Sequence, residues 1–319
     1  MASHDSSIKV LIAALAGNVA IAIAKTAAAI ITGSAAMLSE AIHSGVDTGN
    51  EILLLFGLRR AARPPDAAHP FGYGLQLYFW VFVVAVLIFG FGAVFSLLEG
   101  IHKLRHPEPV AHAFVNYIVL GVSIVFEIGS WAVAFREFSR QRTDYGLFET
   151  ARRSKDPTVF AVLFEDSAAL IGLTLALLGI GLADLLQMPA LDGVASIGIA
   201  LVLALTALFL GYESQSLLTG EAVFPEVRQA IERIAIGTPG VGTINQVLTM
   251  HFGPGDVLVA LSLDFDDAIS AADVERAVAQ IERAIKADFP EVNRVFVEAK
   301  SFDDHASRQE PAPVPITRG

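Results

Sequence analysis

Polar and apolar positions divide this chain of 319 residues into two parts. Over the first two thirds, apolar runs of about 20 residues, the length a bilayer core of roughly 30 Å requires of a helix, alternate with polar or glycine-rich breaks. Residues 8–31 are apolar except Lys9, Asn18, Lys25 and Thr26, and Gly33-Ser34 closes the run with a tight turn. A second run, 35–58, stops at Arg59-Arg60 and Arg63-Pro64-Pro65; four more follow at 75–98, 114–135, 158–182 and 191–212. Pro157 stands where the fifth helix opens, a position that suits its missing N–H. Six transmembrane helices are predicted. After Leu218 the periods change: 225–236 and 272–289 are amphipathic at helical spacing, while 243–250, 257–265 and 294–299 read as strands. Helix, strand, strand, helix, strand predicts a small α+β domain with its helices on one sheet face. The boundaries expected are 1–214 for the membrane domain, 215–303 for the soluble one, and 304–319 for a disordered tail rich in Pro, Ser and Arg.

Composition supports the membrane reading. Hydrophobic residues make up 54% and charged ones 17%, against about 45–50% and 25% in soluble domains. The polar Met1 to Ser7 and the length of the first apolar run predict a retained span rather than a signal peptide. A net charge of −11 argues against nucleic acid as a partner. Arginine at 59, 60 and 63, then Arg136, Arg140, Arg142, Arg152, Arg153 and Lys155, follows the second and fourth spans. The positive-inside rule puts both loops, and with them both termini, in the cytoplasm; in a bacterium that means the inner membrane. The basic stretch His102 to His106, read as the loop after the third span, opposes this assignment. There is no cysteine, so any metal must sit on imidazole and carboxylate, which favours zinc, manganese, iron, cobalt or nickel over copper(I).

The candidate chemistry lies inside the helices. His43 and Asp47 are four residues apart in the second span, on one face and one turn from each other, so both reach a common ion. Charge at membrane depth costs a few kcal/mol or more and is relieved by a partner, a wet cavity or a metal. Glu51 continues the face, as an interfacial charge or a ligand at the mouth. The fifth span carries Glu165 and Asp166, which point about 100° apart. The plainer account of all four is hydrogen bonding between helices; two acids this deep with no basic neighbour in sequence make a cation the better one.

Ser39-Glu40-Ala41-Ile42-His43-Ser44-Gly45-Val46-Asp47, the loop segment Pro64-Pro65-Asp66-Ala67-Ala68-His69-Pro70-Phe71-Gly72-Tyr73-Gly74, and Asp166-Ser167-Ala168-Ala169 together resemble the cation diffusion facilitator family over nearly the whole chain. The resemblance implies a homodimeric antiporter in the lipid bilayer that exports a divalent metal, usually zinc, in exchange for protons, with a ferredoxin-like cytosolic domain. It implies His43, Asp47 and Asp166 as metal ligands. The ligand expected one turn before Asp166 falls on Val162; either Glu165 replaces it, similar to the branch that holds the more divergent animal zinc transporters, or water completes the shell. Asp66 and His69 match a second metal position whose third ligand falls on Tyr73, and a turn capped by Asp66 is the alternative there. In the cytosolic domain Ser262, Glu298 and Lys300 stand where many relatives carry histidine ligands. His251 is expected at the surface, and the domain is assigned to dimerisation rather than metal sensing. Leu75 and Thr219 replace a charged pair that locks the dimer in some bacterial members.

Two other function classes share some of these features. A membrane metallohydrolase uses the same donors, but the sequence has no HExxH and no obvious nucleophile; no enzyme and no cofactor are expected. A dimeric scaffold with a vestigial metal site is consistent with Val162.

Overall fold

Every described apolar run is helical in the computed structural model, which describes residues 18–110, 112–140 and 157–302. The helices are α1 (Asn18–Thr32), α2 (Ala35–Ala61), α3 (Leu75–Arg105), α4 (Ala113–Arg140), α5 (Pro157–Leu185) and α6 (Ala190–Leu218). Four of them contain stretches long and apolar enough to cross a membrane: α3, Ala113–Arg136 in α4, Phe160–Leu185 in α5, and α6. The described part of α1 is shorter, and α2 is too polar to qualify on composition. The protein is a multi-pass membrane protein. Within α3, Ile88–Ala93 forms a π-helical turn. Contacts divide the chain into a unit ending at Leu218 and a second beginning at Thr219.

The corner between α1 and α2 shows how the polar residues set the packing. Gly33 turns the chain with φ +65, a left-handed conformation that glycine adopts without a Cβ penalty. Ser34 then caps α2 by accepting from the Met37 N–H. Asp192, in the first turn of α6, accepts from the Ser34 hydroxyl at 2.6 Å and from the N–H groups of Ala35 and Ala36 at 2.7 and 3.2 Å. A carboxylate is thus held on the N-terminus of α2, where free N–H groups and the helix dipole favour an anion. Lys103, at the end of α3, donates to the Gly33 carbonyl at 2.7 Å and lies 4.0 Å from Asp192.

This placement corrects the expected loop at His102 to His106. The third helix continues through Arg105 rather than ending near residue 98, and Lys103 is 6% exposed. A lysine with an acceptor and an anion inside the bundle is not a loop charge, so it carries no vote on topology. The α6 helix likewise runs beyond residue 214, to Leu218. Residues 304–319, expected to be a disordered tail, and Arg142, Arg152, Arg153 and Lys155 lie outside the described residues.

In the second unit, α7 (Pro225–Ile236) and α8 (Ala271–Asp288) flank the strands β1 (Val241–Gly253), β2 (Asp256–Phe265) and β3 (Val292–Ala299) in chain order. The sheet order is β1-β2-β3, with β1 antiparallel and β3 parallel to β2. Ile231 and Ala235 of α7 and Ile281 and Ile285 of α8 share one core with Val257, Val259, Leu261 and Leu263, alternate residues of β2. On the other face, Leu248 and Phe296 pair with Ala260 from either side and lie exposed. Ser270 and Asp273 form a capping box that starts α8. His251, expected at the surface, is 6% exposed. The segment before α7 accounts for this, because the Glu221 carbonyl accepts from the His251 N–H and the Val223 N–H donates to Thr249, which lays that segment along β1.

Replacing Asp192 with alanine removes the acceptor of three hydrogen bonds and leaves Lys103 without its anion. The expected cost is about 3–5 kcal/mol, the scale for breaking a buried charge pair. Thermal unfolding in detergent measures it, and Asp192→Asn, which keeps an acceptor oxygen, should lose less.

Candidate functional site

A charged pair deep in the first unit organises the candidate site. Lys25 of α1 and Glu40 of α2 are 1% and 0% exposed and 3.1 Å apart. The Lys25 ammonium also donates to the Ser44 hydroxyl at 2.7 Å. The other Glu40 oxygen points at α5, where a Cβ on Gly172 would stand 2.4 Å from it. Glycine at that position gives the carboxylate its space. The motif around His43 is therefore fixed on both sides, by a cation from α1 and by the absence of a side chain on α5.

One helical turn from Glu40, His43 is 1% exposed, with its Nδ1 3.2 Å from Asp47 Oδ1. The spacing read from the sequence does bring these two groups together. The contact lacks hydrogen-bond geometry, and both imidazole nitrogens and Asp47 Oδ1 are buried with no hydrogen-bond partner among the described residues. Leaving such a group unsatisfied costs about 1–3 kcal/mol, so the site has unmet demand for a proton donor or an electrophile.

Asp47 opens onto a cavity of about 60 Å³ lined by residues of four helices: Asn18 and Ile21 of α1, Ser44, Asp47, Glu51 and Leu54 of α2, Glu127 and Ser130 of α4, and Val162, Glu165 and Asp166 of α5. One water needs about 10–15 Å³ of such space, so the cavity has room for an ion that keeps a few waters. Among the described residues, five carboxylates line it and no Lys, Arg or His does. Such a surface attracts a cation, because several ionised carboxylates in one small cavity repel one another without it.

Glu165 and Asp166 divide their directions as adjacent helical residues must. Glu165 is buried and accepts from Asn50 of α2 at 2.5 Å, while Asp166 accepts from Ser130 of α4 at 3.0 Å. Glu51 accepts from Asn18 at 2.6 Å and ties α1 to α2. Val162 lines the same cavity and offers no donor. His43 is not among the lining residues, and among the described residues no group of three or more His, Asp or Glu side chains is arranged to hold a metal ion. The arrangement gathers donors around a space without closing them on one point.

Sequence reasoning passed over Asn50, Ser130, Glu127 and the Lys25–Glu40 pair. Glu127 carried the same signal as the chosen residues, since it is an acid inside an apolar run. The pairings of Asn50 and Ser130 have no signal in one chain, because their partners are 115 and 36 residues away.

Asp66 and His69 form a separate feature in the loop between α2 and α3. Asp66 accepts from the Ala68 and His69 N–H groups at 3.0 and 2.7 Å and from the Tyr73 hydroxyl at 2.6 Å. His69 Nδ1 is 3.6 Å from the carboxylate and the ring lies against Tyr73. The carboxylate caps its own turn, the tyrosine taking the place of a ligand. The Tyr73 hydroxyl, then the His69 N–H, hold the Asp66 carboxyl below its ordinary value, and the same bond pushes the Tyr73 phenol up.

Residues 11–219 match the cation efflux transmembrane domain family. The protein named proton-coupled zinc antiporter SLC30A9, mitochondrial, is 34% identical over 82% of this chain in Xenopus laevis and 33% over 75% in Homo sapiens. This chain spans 47% and 43% of the length of those two relatives. The cation-efflux pump FieF of Escherichia coli is 28% identical over 81% of each chain.

Two outcomes test the local readings. Lys25→Met strands the Glu40 carboxylate and should destabilise the bundle by about 3–5 kcal/mol, whereas the double variant with Glu40→Gln should recover most of it in detergent melts. Tyr73→Phe removes the largest cause of the lowered Asp66 value, so the carboxyl should titrate closer to an ordinary aspartate by carbon NMR. The turn's stabilisation is present above the ordinary carboxyl value and disappears as pH falls through the lowered one.

Proposed function

The chain belongs to the cation efflux family, a family of cation transporters and not of enzymes, and from that premise we propose that it exports a divalent metal, zinc first, in exchange for protons. The observation that carries the reading is the cavity of carboxylates beside a buried, unsatisfied imidazole, with its donors coming from α2 and α5. All six helices α1 to α6 cross the bilayer in this reading. Its paired charges make the polar α1 and α2 tolerable at membrane depth.

The metal is held by His43, Asp47 and Asp166, with Glu165 in the place that Val162 leaves without a donor. Imidazole and carboxylate bind metal only when deprotonated, so protons from the far side compete for the same atoms and drive release. One shared site suffices for coupling, and rocking of helices about it provides alternating access. One nitrogen among oxygens suits zinc, with iron, cobalt and nickel next. Two relatives are named as proton-coupled zinc antiporters, which supports both zinc and the counter-ion. The second unit, which begins at Thr219, serves a homodimer as a ferredoxin-like domain on the cytoplasmic side, the side marked by Arg59, Arg60 and Arg63.

The scaffold reading, in which the metal site is vestigial, fits less well. A vestigial cavity has no reason to keep five carboxylates and an unsatisfied imidazole against their desolvation cost.

Zinc uptake into sealed vesicles carrying the protein should depend on an imposed pH gradient, and Asp47→Ala should lower it to the level of protein-free vesicles. Uptake by Asp47→Ala equal to the parent would sink the mechanism. Competition by manganese, iron(II), cobalt and nickel in the same assay ranks the cargo.

A further inference from the structure

Of the five carboxylates on the cavity, three accept a hydrogen bond from a neighbouring helix: Glu51 from Asn18, Glu165 from Asn50, and Asp166 from Ser130. Asp47 lies beside His43. Glu127 of α4 is the fifth, and among the described residues no hydrogen-bond donor meets it. It is also the only acidic residue within Ala113–Arg136, the part of α4 long and apolar enough to cross a membrane. A lone carboxylate in such a helix costs a few kcal/mol. A helix that served only to close the bundle would be more stable with an apolar residue there.

The geometry of α4 holds Glu127 to this cavity. Ser130 lies one turn further along the same face and donates to Asp166 at 3.0 Å, while the Trp131 indole donates to Ser167 at 3.0 Å. Two consecutive residues of α4 are thereby bonded to two consecutive residues of α5, which fixes both the register and the rotation of α4. With those bonds made, Glu127 faces the space that Val162 and Asp166 line from the other helix. Val162 stands one turn before Asp166 and supplies no donor. Glu165, the other candidate to fill that gap, already has one oxygen engaged by Asn50.

We propose that Glu127 is a further cation ligand of the transport site, supplying from α4 the oxygen donor that Val162 cannot. The inference rests on the transport reading above and deepens it. Donors then come from three helices, with one imidazole nitrogen and the remaining atoms carboxylate oxygens. That set takes zinc and also harder divalent ions such as manganese and iron(II), and it disfavours soft monovalent copper. Binding draws α4 toward α2 and α5, so the cation itself completes the cluster that its carboxylates only surround without it.

The test uses the full chain in sealed vesicles, with initial rates of zinc and manganese uptake measured against concentration. Glu127→Gln should raise KM for both ions by about 10- to 100-fold, the range typical for loss of a group that supports a metal. Glu127→Asp, which keeps the charge and shortens the reach, should give a smaller rise. Val162→His in the Glu127→Gln background should restore most of the lost affinity by returning a donor to the fifth helix, a rescue that no purely structural role for Glu127 predicts. Parental KM values in Glu127→Gln, or in Glu127→Asp should the first variant fail to fold, overturn the assignment. So does a variant that keeps its KM and loses only its response to the pH gradient. If Asp47→Ala abolishes uptake while Glu127→Gln keeps parental KM, only this inference falls; if the parent takes up no divalent cation, the transport reading falls with it.

Discussion

An ammonium and a carboxylate in contact at 3.1 Å, both shut away from solvent, hold the first two helices together. Neither Lys25 nor Glu40 is tolerable alone at that depth, so each fixes where the other must be. The consequences spread through the bundle. Lys25 reaches on to Ser44, which lines the cavity, and Glu40 presses its second oxygen against the bare backbone of Gly172 on α5. The same logic holds one turn earlier, at the N-terminus of α2, where Asp192 caps the helix and Lys103 attends it. The apolar core among α1 to α6 fills the space between these polar anchors. Helix rotation about the long axis, which nonspecific apolar packing leaves loosely determined, is set by the charges.

That rotation gives the cavity its chemistry. With α2 turned so that Glu40 meets Lys25, Asp47 and Glu51 face α4 and α5; with α5 turned so that Gly172 admits Glu40, Glu165 and Asp166 face back. Carboxylates from three helices then surround a space of about 60 Å³ that, among the described residues, no positive side chain lines. A structural ion pair and the carboxylates of the proposed cation site thus occupy successive turns of one helix. The difference between them is whether the positive charge is tethered to the chain or must arrive from solution.

The second unit is built on another principle, the division of one sheet into a covered face and an open one. Its helices are amphipathic and its strands alternate, so α7, α8 and β2 supply one core. No buried charge pair is needed to orient them. Helix α7 follows its hydrophobic period from Pro225 to Ile236 to the residue, and α8 and the three strands differ from their patterns only at the ends.

Taken alone, the sequence determined the apolar runs, the order of helices and strands, the i,i+4 pair at His43 and Asp47, and the family motifs, because each depends on residues close together in the chain. Periodicity of 3.6 or 2 and the cost of charge in lipid are local statements, so they are legible locally. Only the tertiary structure decided which helix answers each polar residue. It turned Lys103 from a loop charge into a buried partner, placed His251 under the segment before α7, gave Glu165 to Asn50 and Asp166 to Ser130, and brought Glu127 of α4 onto the cavity. These pairings join positions tens to more than a hundred residues apart. They follow from how helices rotate against one another, which no single stretch of chain specifies.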